Sequence, residues 1–357
     1  MLVVSGGVTL LLVAITALPV SNSNQWWVRV WDYPRPQVLV AAALALSALV
    51  AGTLITRKLS KATYLMSLAL SSVMAVQLAK IIPYTPVWPL EVDPVAADES
   101  HACIKILTSN VKMENRQSAA LRDMIEREKP DVALILENDQ WWSDQLAQVT
   151  KSYPHVLDQP QDNTYGLLFL TTLDPGLLEI RHLSDPAIPS VRATLSLESG
   201  ERIVFYGVHP TPPRIGQDTD LRDHELILVA QDIRSDDRPS IVSGDLNDVA
   251  WSKTTNQFKR IAQVLDPRIG RGLFATFTRT IGSFGGRWTM SFIPRFRVAQ
   301  SSRARVDRLR SLSPGVRVVP DPGRCHRERR AGRGSAPDVR QVRQANKPAG
   351  PESAGPK

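Results

Sequence analysis

Cysteine is almost missing from this sequence: Cys103 and Cys325 are the only two in 357 residues. So few exclude a disulfide scaffold and any cysteine-rich zinc site, and leave the redox compartment open. Aromatic residues are scarce, at 6%, although Trp141 and Trp142 fall in the middle region where a core is expected. The N-terminus has no basic segment ahead of its first apolar run, so a secretory signal peptide fits poorly there. What remains is ordinary: 43% apolar and 22% charged residues exclude a wholly disordered or collagen-like chain. The length suits two domains or one domain with appendages.

The net charge of +8 is unevenly placed. Residues 279–357 hold 18 Lys/Arg against 5 Asp/Glu, so the other residues are net −5. A basic protein usually invites a nucleic-acid reading, but here the body is acidic and the excess lies in the last fifth.

Three apolar runs occupy residues 2–20, 38–55 and 63–79. Each is long enough to cross the roughly 30 Å hydrocarbon core as a helix. They define a membrane region over 1–83 with three transmembrane helices. Trp26, Trp27, Trp31 and Tyr33 between the first two suit an interfacial aromatic belt. Arg57, Lys58 and Lys61 crowd the second connection, against Arg29 and Arg35, offset by Asp32, in the first. The positive-inside rule then places the second connection in the cytoplasm and everything after about Pro83 outside. The expectation is an integral protein of the inner or plasma membrane with an extracytoplasmic soluble domain.

Residues 84–100 carry prolines and acids and resemble a linker. After them, strand-like runs (Ile104–Thr108, Asp131–Leu136, Gly166–Leu170, Ala193–Leu197, Arg202–Val208, Ser240–Ser243) are interleaved with helical patterns at Ser118–Glu128 and Leu221–Ile233. Such alternation predicts a layered α/β domain. Polar residues recur where strands end: Asn110, Glu137, His209, Asp245 and Asn247. Singly, each suits a turn; together they are placed to line a cleft. His182 and His224 lack any motif and are expected as surface or core residues. Trp141, Trp142 and Trp251 are expected to pack in the core or its rim rather than stack on bases. Arg214 and Arg222 suit either substrate contacts or solvated charges.

The segments ILTSNV (Ile106–Val111), PDVALILEND (Pro130–Asp139), YGVHPTPP (Tyr206–Pro213) and SGDLNDVAW (Ser243–Trp251), in this order, resemble the endonuclease/exonuclease/phosphatase superfamily of DNase I-like enzymes. The resemblance implies a DNase I-like layered α/β sandwich over 101–278, preceded by the three transmembrane helices. It further implies Mg²⁺ or Mn²⁺ held by Asn110 and Glu137, since such ions prefer hard oxygen ligands. His209 would contact the phosphate, Asp245 would orient or deprotonate water, and Asn247 would donate to phosphate. Hydrolysis of a phosphoester by in-line attack of water would follow. The partner would be a nucleic acid, a phospholipid headgroup or a small phosphate ester; no protein partner can be inferred.

The family also needs an Asp on a late strand and a terminal Ser-Asp-His, and neither is written in this sequence. Residues 279–357 are instead expected as a basic, disordered tail. The genetic code offers a reason. Read from the third base of each codon, Gly285–Ile293 is compatible with WPLDHVFH; read from the second base, Arg308–Pro314 is compatible with GSDHFP. Two such matches in the family's order favour frameshifts over a designed tail. The rival expectations are a catalytically inactive membrane-anchored remnant, and a basic tail that binds anionic lipid or nucleic acid.

Overall fold

The computed structural model describes residues 2–92 and 104–272, together with two short strands near the C-terminus. Helices α1 (Leu2–Ala17), α3 (Arg35–Thr56) and α4 (Lys61–Ile81) form the N-terminal helical region, with a single-turn helix α2 (Trp26–Arg29) between the first two. Three stretches, Val3–Val20, Arg35–Thr56 and Lys61–Tyr84, are long and apolar enough to cross a membrane. The helices pack through Leu12, Val38, Ala42, Leu49, Leu70 and Val73. Leu10, Leu44, Leu54 and Leu65 point outward and are exposed, which is the arrangement lipid requires.

Polar side chains tie the bundle at one end. Arg35 Nη1 donates to Gln77 Oε1 at 3.1 Å, and Gln77 Nε2 donates to Thr16 Oγ1 at 2.9 Å. Arg35 Nη2 donates to Asp32 Oδ1 at 2.6 Å, and Arg29 lies 3.6 Å from the other oxygen of the same carboxylate. All of these groups are buried, where unpaired polar atoms would be costly.

The soluble domain consists of β1 (Ile106–Asn110), α5 (Ala119–Glu128), β2 (Val132–Leu136), α6 (Gln140–Thr150), β3 (His155–Gln159), β4 (Leu167–Thr171), β5 (Asp174–Arg181), β6 (Ser190–Ser196), β7 (Arg202–Val208), α7 (Asp220–Ser235), β8 (Ser240–Gly244) and α8 (Lys253–Ala262). They make two four-stranded sheets, ordered β1-β2-β4-β3 and β5-β6-β7-β8. Most pairs are antiparallel; β1 with β2 and β7 with β8 are parallel.

Strand periodicity explains the layers. In β2, Val132, Leu134 and Leu136 face the other sheet, meeting Phe205, Ala193 and Leu195 in a common core. The alternate residues Ala133 and Ile135 face out, against Leu121, Ile125, Trp142 and Leu146 of α5 and α6. On the second sheet, Val204, Tyr206 and Val208 take Leu226, Val229 and Phe258 of α7 and α8 in the same way. Central strands buried on both faces lose the apolar/polar alternation and become continuous apolar runs. Each such Leu or Phe contributes about 1.5–3 kcal/mol by leaving water. The result is the expected layered sandwich, with helices outside both sheets.

Several elements depart from the sequence reading. The patterns predicted neither α6, β3, β5 nor α8. Of the residues expected as a linker, the described ones, 84–92, contact the α/β domain: Glu91 accepts from the Asp266 main-chain N–H at 2.7 Å, and Tyr84 Oη donates to Ala250 O at 2.7 Å. Within the segment expected to be a disordered tail, β9 (Phe296–Gln300) and β10 (Val316–Pro320) pair antiparallel. Both alternate apolar and charged residues at their start (Phe-Arg-Val and Val-Arg-Val), a pattern the overall Arg/Gly/Pro content concealed. The rest of residues 279–357, with both frameshift sites, lies outside the described residues.

Candidate active site

Strand register brings the motif residues together. Asn110 pairs with Leu136 across the parallel β1/β2 ladder, so Glu137, the next residue, emerges beside it. Val208 pairs with Gly244 across β7/β8, so His209 and Asp245 emerge side by side in turn. The two parallel pairs are joined inside the sandwich by a hydroxyl contact of 2.6 Å between Thr108 and Ser243. Four strand ends therefore open on one place.

Asn110 is the hub. Its Nδ2 donates to Glu137 Oε1 at 2.7 Å and to Asp245 Oδ2 at 3.1 Å, while its Oδ1 accepts from Lys112 N at 2.9 Å. The second oxygen of Glu137 accepts from Met113 N at 3.1 Å. Asp245 Oδ1 accepts from the Asn247 main-chain N–H at 3.1 Å, whereas the Asn247 side chain donates to Pro210 O at 2.9 Å. Asn247 thus orders Asp245 through its backbone and the His209–Pro210 turn through its amide.

Backbone conformation makes this possible. Glu137 (φ 60°) and Asn247 (φ 50°) both adopt the left-handed region, which costs a non-glycine residue on the order of 1–3 kcal/mol and concentrates at working sites. Gly244 has φ +149°, and a Cβ there would lie 1.8 Å from Val208 O. Only glycine lets β8 approach β7 so closely just before Asp245.

His209 is 4% exposed and its Nδ1 has no hydrogen-bond partner. Burial pushes its pKa below the usual histidine value, with Asp245 and Glu137 pulling the other way. The imidazole is therefore neutral near pH 7. Tyr165 closes over it, with ring centroids 5.6 Å apart. Nothing in the local sequence signalled Tyr165, since the contact spans two strands.

Two carboxylates, Glu137 and Asp245, converge on the Asn110 amide nitrogen, while the amide oxygen accepts from the Lys112 main-chain N–H. That is a hard-oxygen donor set with a negative balance, which fits a small divalent cation such as Mg²⁺. Among the described residues, no group of three His, Cys, Asp or Glu gathers to hold a metal.

The other sequence candidates separate clearly. His182 and His224 are exposed, as expected for residues without a motif. Trp142 is buried in the core, and Trp141 is partly buried beneath Arg116, whose guanidinium lies 4.9 Å from its ring. Arg214 is exposed. Arg222 is neither solvated nor free for substrate: it is buried against Asp223 and Asp248 and donates to Asn247 O at 3.1 Å. Tyr33, expected in an aromatic belt, instead donates through its hydroxyl to the same carbonyl at 2.8 Å.

A model of the family described as Endonuclease/Exonuclease/phosphatase matches residues 107–308, running on past Thr278. A search of curated proteins found no match. Among solved structures, similar chains include D. rerio TDP2 complexed with a single-strand DNA product, at 17% identity and TM-score 0.36, covering 42% of this chain and 63% of that one. The beta toxin of Staphylococcus aureus has 16% identity and TM-score 0.37, with 46% and 72% covered. The human Nocturnin catalytic domain with bound sulfate has 17% identity and TM-score 0.36, with 44% and 69% covered. The chain spans about 62% of truncated Caenorhabditis elegans TDP2.

Proposed function

The chain belongs to the endonuclease/exonuclease/phosphatase family, and from that premise we propose that it is a membrane-anchored, Mg²⁺- or Mn²⁺-dependent phosphoester hydrolase whose turnover is impaired by loss of the terminal Ser-Asp-His. The observation that carries the reading is the convergence of the Glu137 and Asp245 carboxylates on the Asn110 amide, with His209 close enough to feel both charges. Coincidental turn residues from three strand ends would not share one hydrogen-bond hub.

Asn110 and Glu137 would hold the cation, which supplies electrostatic stabilisation of charge on the phosphoryl oxygens. Asp245 takes the proton from the attacking water at Oδ2, its carboxylate held in plane by the Asn247 N–H on Oδ1. Water oxygen bonds to phosphorus as the ester oxygen departs on the opposite side. Neutral His209 donates a ring N–H to a phosphate oxygen, contributing a fixed dipole aimed at the developing charge. Substrate choice follows surroundings rather than the chemistry. An acidic body disfavours a nucleic-acid polyanion, whereas the membrane region favours a phospholipid headgroup or a small extracytoplasmic ester.

Losing one aligned donor of this kind costs about 2.7–4 kcal/mol, or roughly two to three orders of magnitude in rate. The chain as written is therefore expected to hydrolyse an activated aryl phosphodiester with Mg²⁺ very slowly. A chain with the frame repaired to WPLDHVFH and GSDHFP should recover activity, and Asp245→Ala or His209→Ala should abolish it again. Equal rates from the repaired and unrepaired chains would refute the frameshift account. No metal-dependent hydrolysis by either would leave the inactive remnant as the better reading.

A further inference from the structure

We propose that the connector between the first two membrane helices is a working part of the active site, with Tyr33 as a residue that positions the loop carrying Asp245 and Asn247. The inference rests on the hydrolase reading above for its function, and on the following contacts for its geometry. Asn247 O accepts from Tyr33 Oη at 2.8 Å and from Arg222 Nη1 at 3.1 Å. Three residues on, Ala250 O accepts from Tyr84 Oη at 2.7 Å. At the end of the loop, Trp251 Nε1 donates to Asp32 O at 2.7 Å, and its ring lies edge-on to Tyr84 with centroids 5.9 Å apart. The catalytic loop is thus hydrogen-bonded to the membrane region at three places within five residues.

These anchors are not free-standing. Asp32 is clamped by Arg29 and Arg35, and Arg35 continues through Gln77 to Thr16. One chain of polar contacts therefore runs from all three long helices to Asp32, whose main-chain oxygen accepts from Trp251, and the next residue, Tyr33, reaches Asn247 O. Burial and the neighbouring Asp248 hold the Tyr33 phenol protonated, so its hydroxyl remains a donor. Asn247 is where such a restraint matters most. Its left-handed backbone is intrinsically unfavourable, and its N–H is what orients Asp245. Without donors on its carbonyl, the peptide following Asn247 is free to rotate, and the orientation of Asp245 loosens with it.

A different contact at the same interface provides the control: Asn24 Nδ2 donates to Asp220 Oδ1 at 2.7 Å, a bond that involves none of residues 245–251. If the interface merely docks the domain, removing Asn24 or Tyr33 has the same consequence. The test uses full-length protein in detergent micelles, with Mn²⁺ affinity and backbone amide exchange by mass spectrometry as two readouts. Removing one neutral hydrogen bond corresponds to about three- to tenfold in an equilibrium. Tyr33→Phe should weaken Mn²⁺ binding by that factor and speed exchange in residues 245–251, with β4 unchanged. Asn24→Ala should do neither. Tyr33→Phe matching the unmutated protein in both readouts overturns the inference, as does an equal effect from Asn24→Ala. Glu137→Ala tests the underlying reading separately: if it leaves Mn²⁺ affinity intact, or the unmutated protein binds none, the metal reading falls, and the exchange comparison alone decides the positioning role.

Discussion

Asn110 and Asp245 lie 135 positions apart in sequence and are joined by a 3.1 Å hydrogen bond from Nδ2 to Oδ2. The same nitrogen reaches Glu137, so a single amide holds two carboxylates together that would otherwise repel. The pairing makes the metal prediction specific.

Glu137→Ala should abolish Mg²⁺ or Mn²⁺ binding measured by calorimetry on the full-length protein. Glu114→Ala should not, because its carboxylate is exposed and contacts only Lys112. Unchanged affinity in the Glu137 variant would remove that residue from the site.

Two buried groups should tilt stability with pH in opposite directions. His209 is depressed below its usual value of about 6.5, so the unfolded chain binds its proton more readily. The resulting stability is full above that value and is lost as pH falls through it toward the lower folded value. His209→Asn should flatten this acid-side loss in thermal unfolding. Glu225, buried with Oε1 unpartnered, is raised to about 7 by desolvation, with Asp185 adding to it. Its folded form prefers the proton, so its contribution is full below about 4.5 and is lost as pH rises to 7. Glu225→Gln should therefore raise the melting temperature at pH 8, by an amount equivalent to at most about 3 kcal/mol, and have little effect near pH 4. A destabilised variant at pH 8 would show that the carboxylate has a charged partner.

Gly244→Ala should unfold the β7/β8 end or shift it out of register. The added Cβ would overlap Val208 O at 1.8 Å, and backbone at that position cannot move without carrying Asp245 with it. A loss of at least about 3 kcal/mol is expected, comparable to overpacking a tight core. Thermal unfolding near that of the unmutated protein would sink the close-approach argument.

The topology prediction gains from the structure. Arg29 and Arg35 counted against the orientation when the loops were compared by charge. Both are buried, and both pair with Asp32, which offsets one of their two charges. The basic excess is therefore greater around Arg57, Lys58 and Lys61, so a reporter fused after about Pro94 should respond as extracytoplasmic. Activity from a reporter that works only in the cytoplasm would reverse the assignment.

The central strands and their ends were easier to read from the sequence than the edge elements. Asn110, Glu137, His209 and Asp245 were expected at strand ends, and the strands do end there: Asn110 closes β1, and Glu137, His209 and Asp245 directly follow β2, β7 and β8. The missed elements lack a clear pattern. β5 begins Asp-Pro-Gly and carries a register shift between Pro175 and Leu177, which suits an edge strand but hides it from pattern reading. α8 contains two threonines and an asparagine, with helix formation resting on the Ser252 cap and burial of Phe258. β3 is also at an edge, and its residues are exposed or half-buried. Tyr33 and Arg222 were misread for a different reason. Their partners lie 214 and 25 residues away, and an aromatic at a membrane boundary or an arginine on a helix has a common local explanation that masks a tertiary one.

The polar chain from Thr16 through Gln77, Arg35 and Asp32 to Trp251 bears on how such a protein is inherited. A domain tethered by a plain anchor can be exchanged for another by recombination, because the two parts are independent. Here the N-terminal helical region contributes hydrogen bonds to the loop of residues 245–251, so the helices and the α/β domain must change together. Substitutions at Asp32 or Gln77 would be tolerated only with compensating changes on the far side of the interface, and a transplanted domain would arrive with its own loop unsupported.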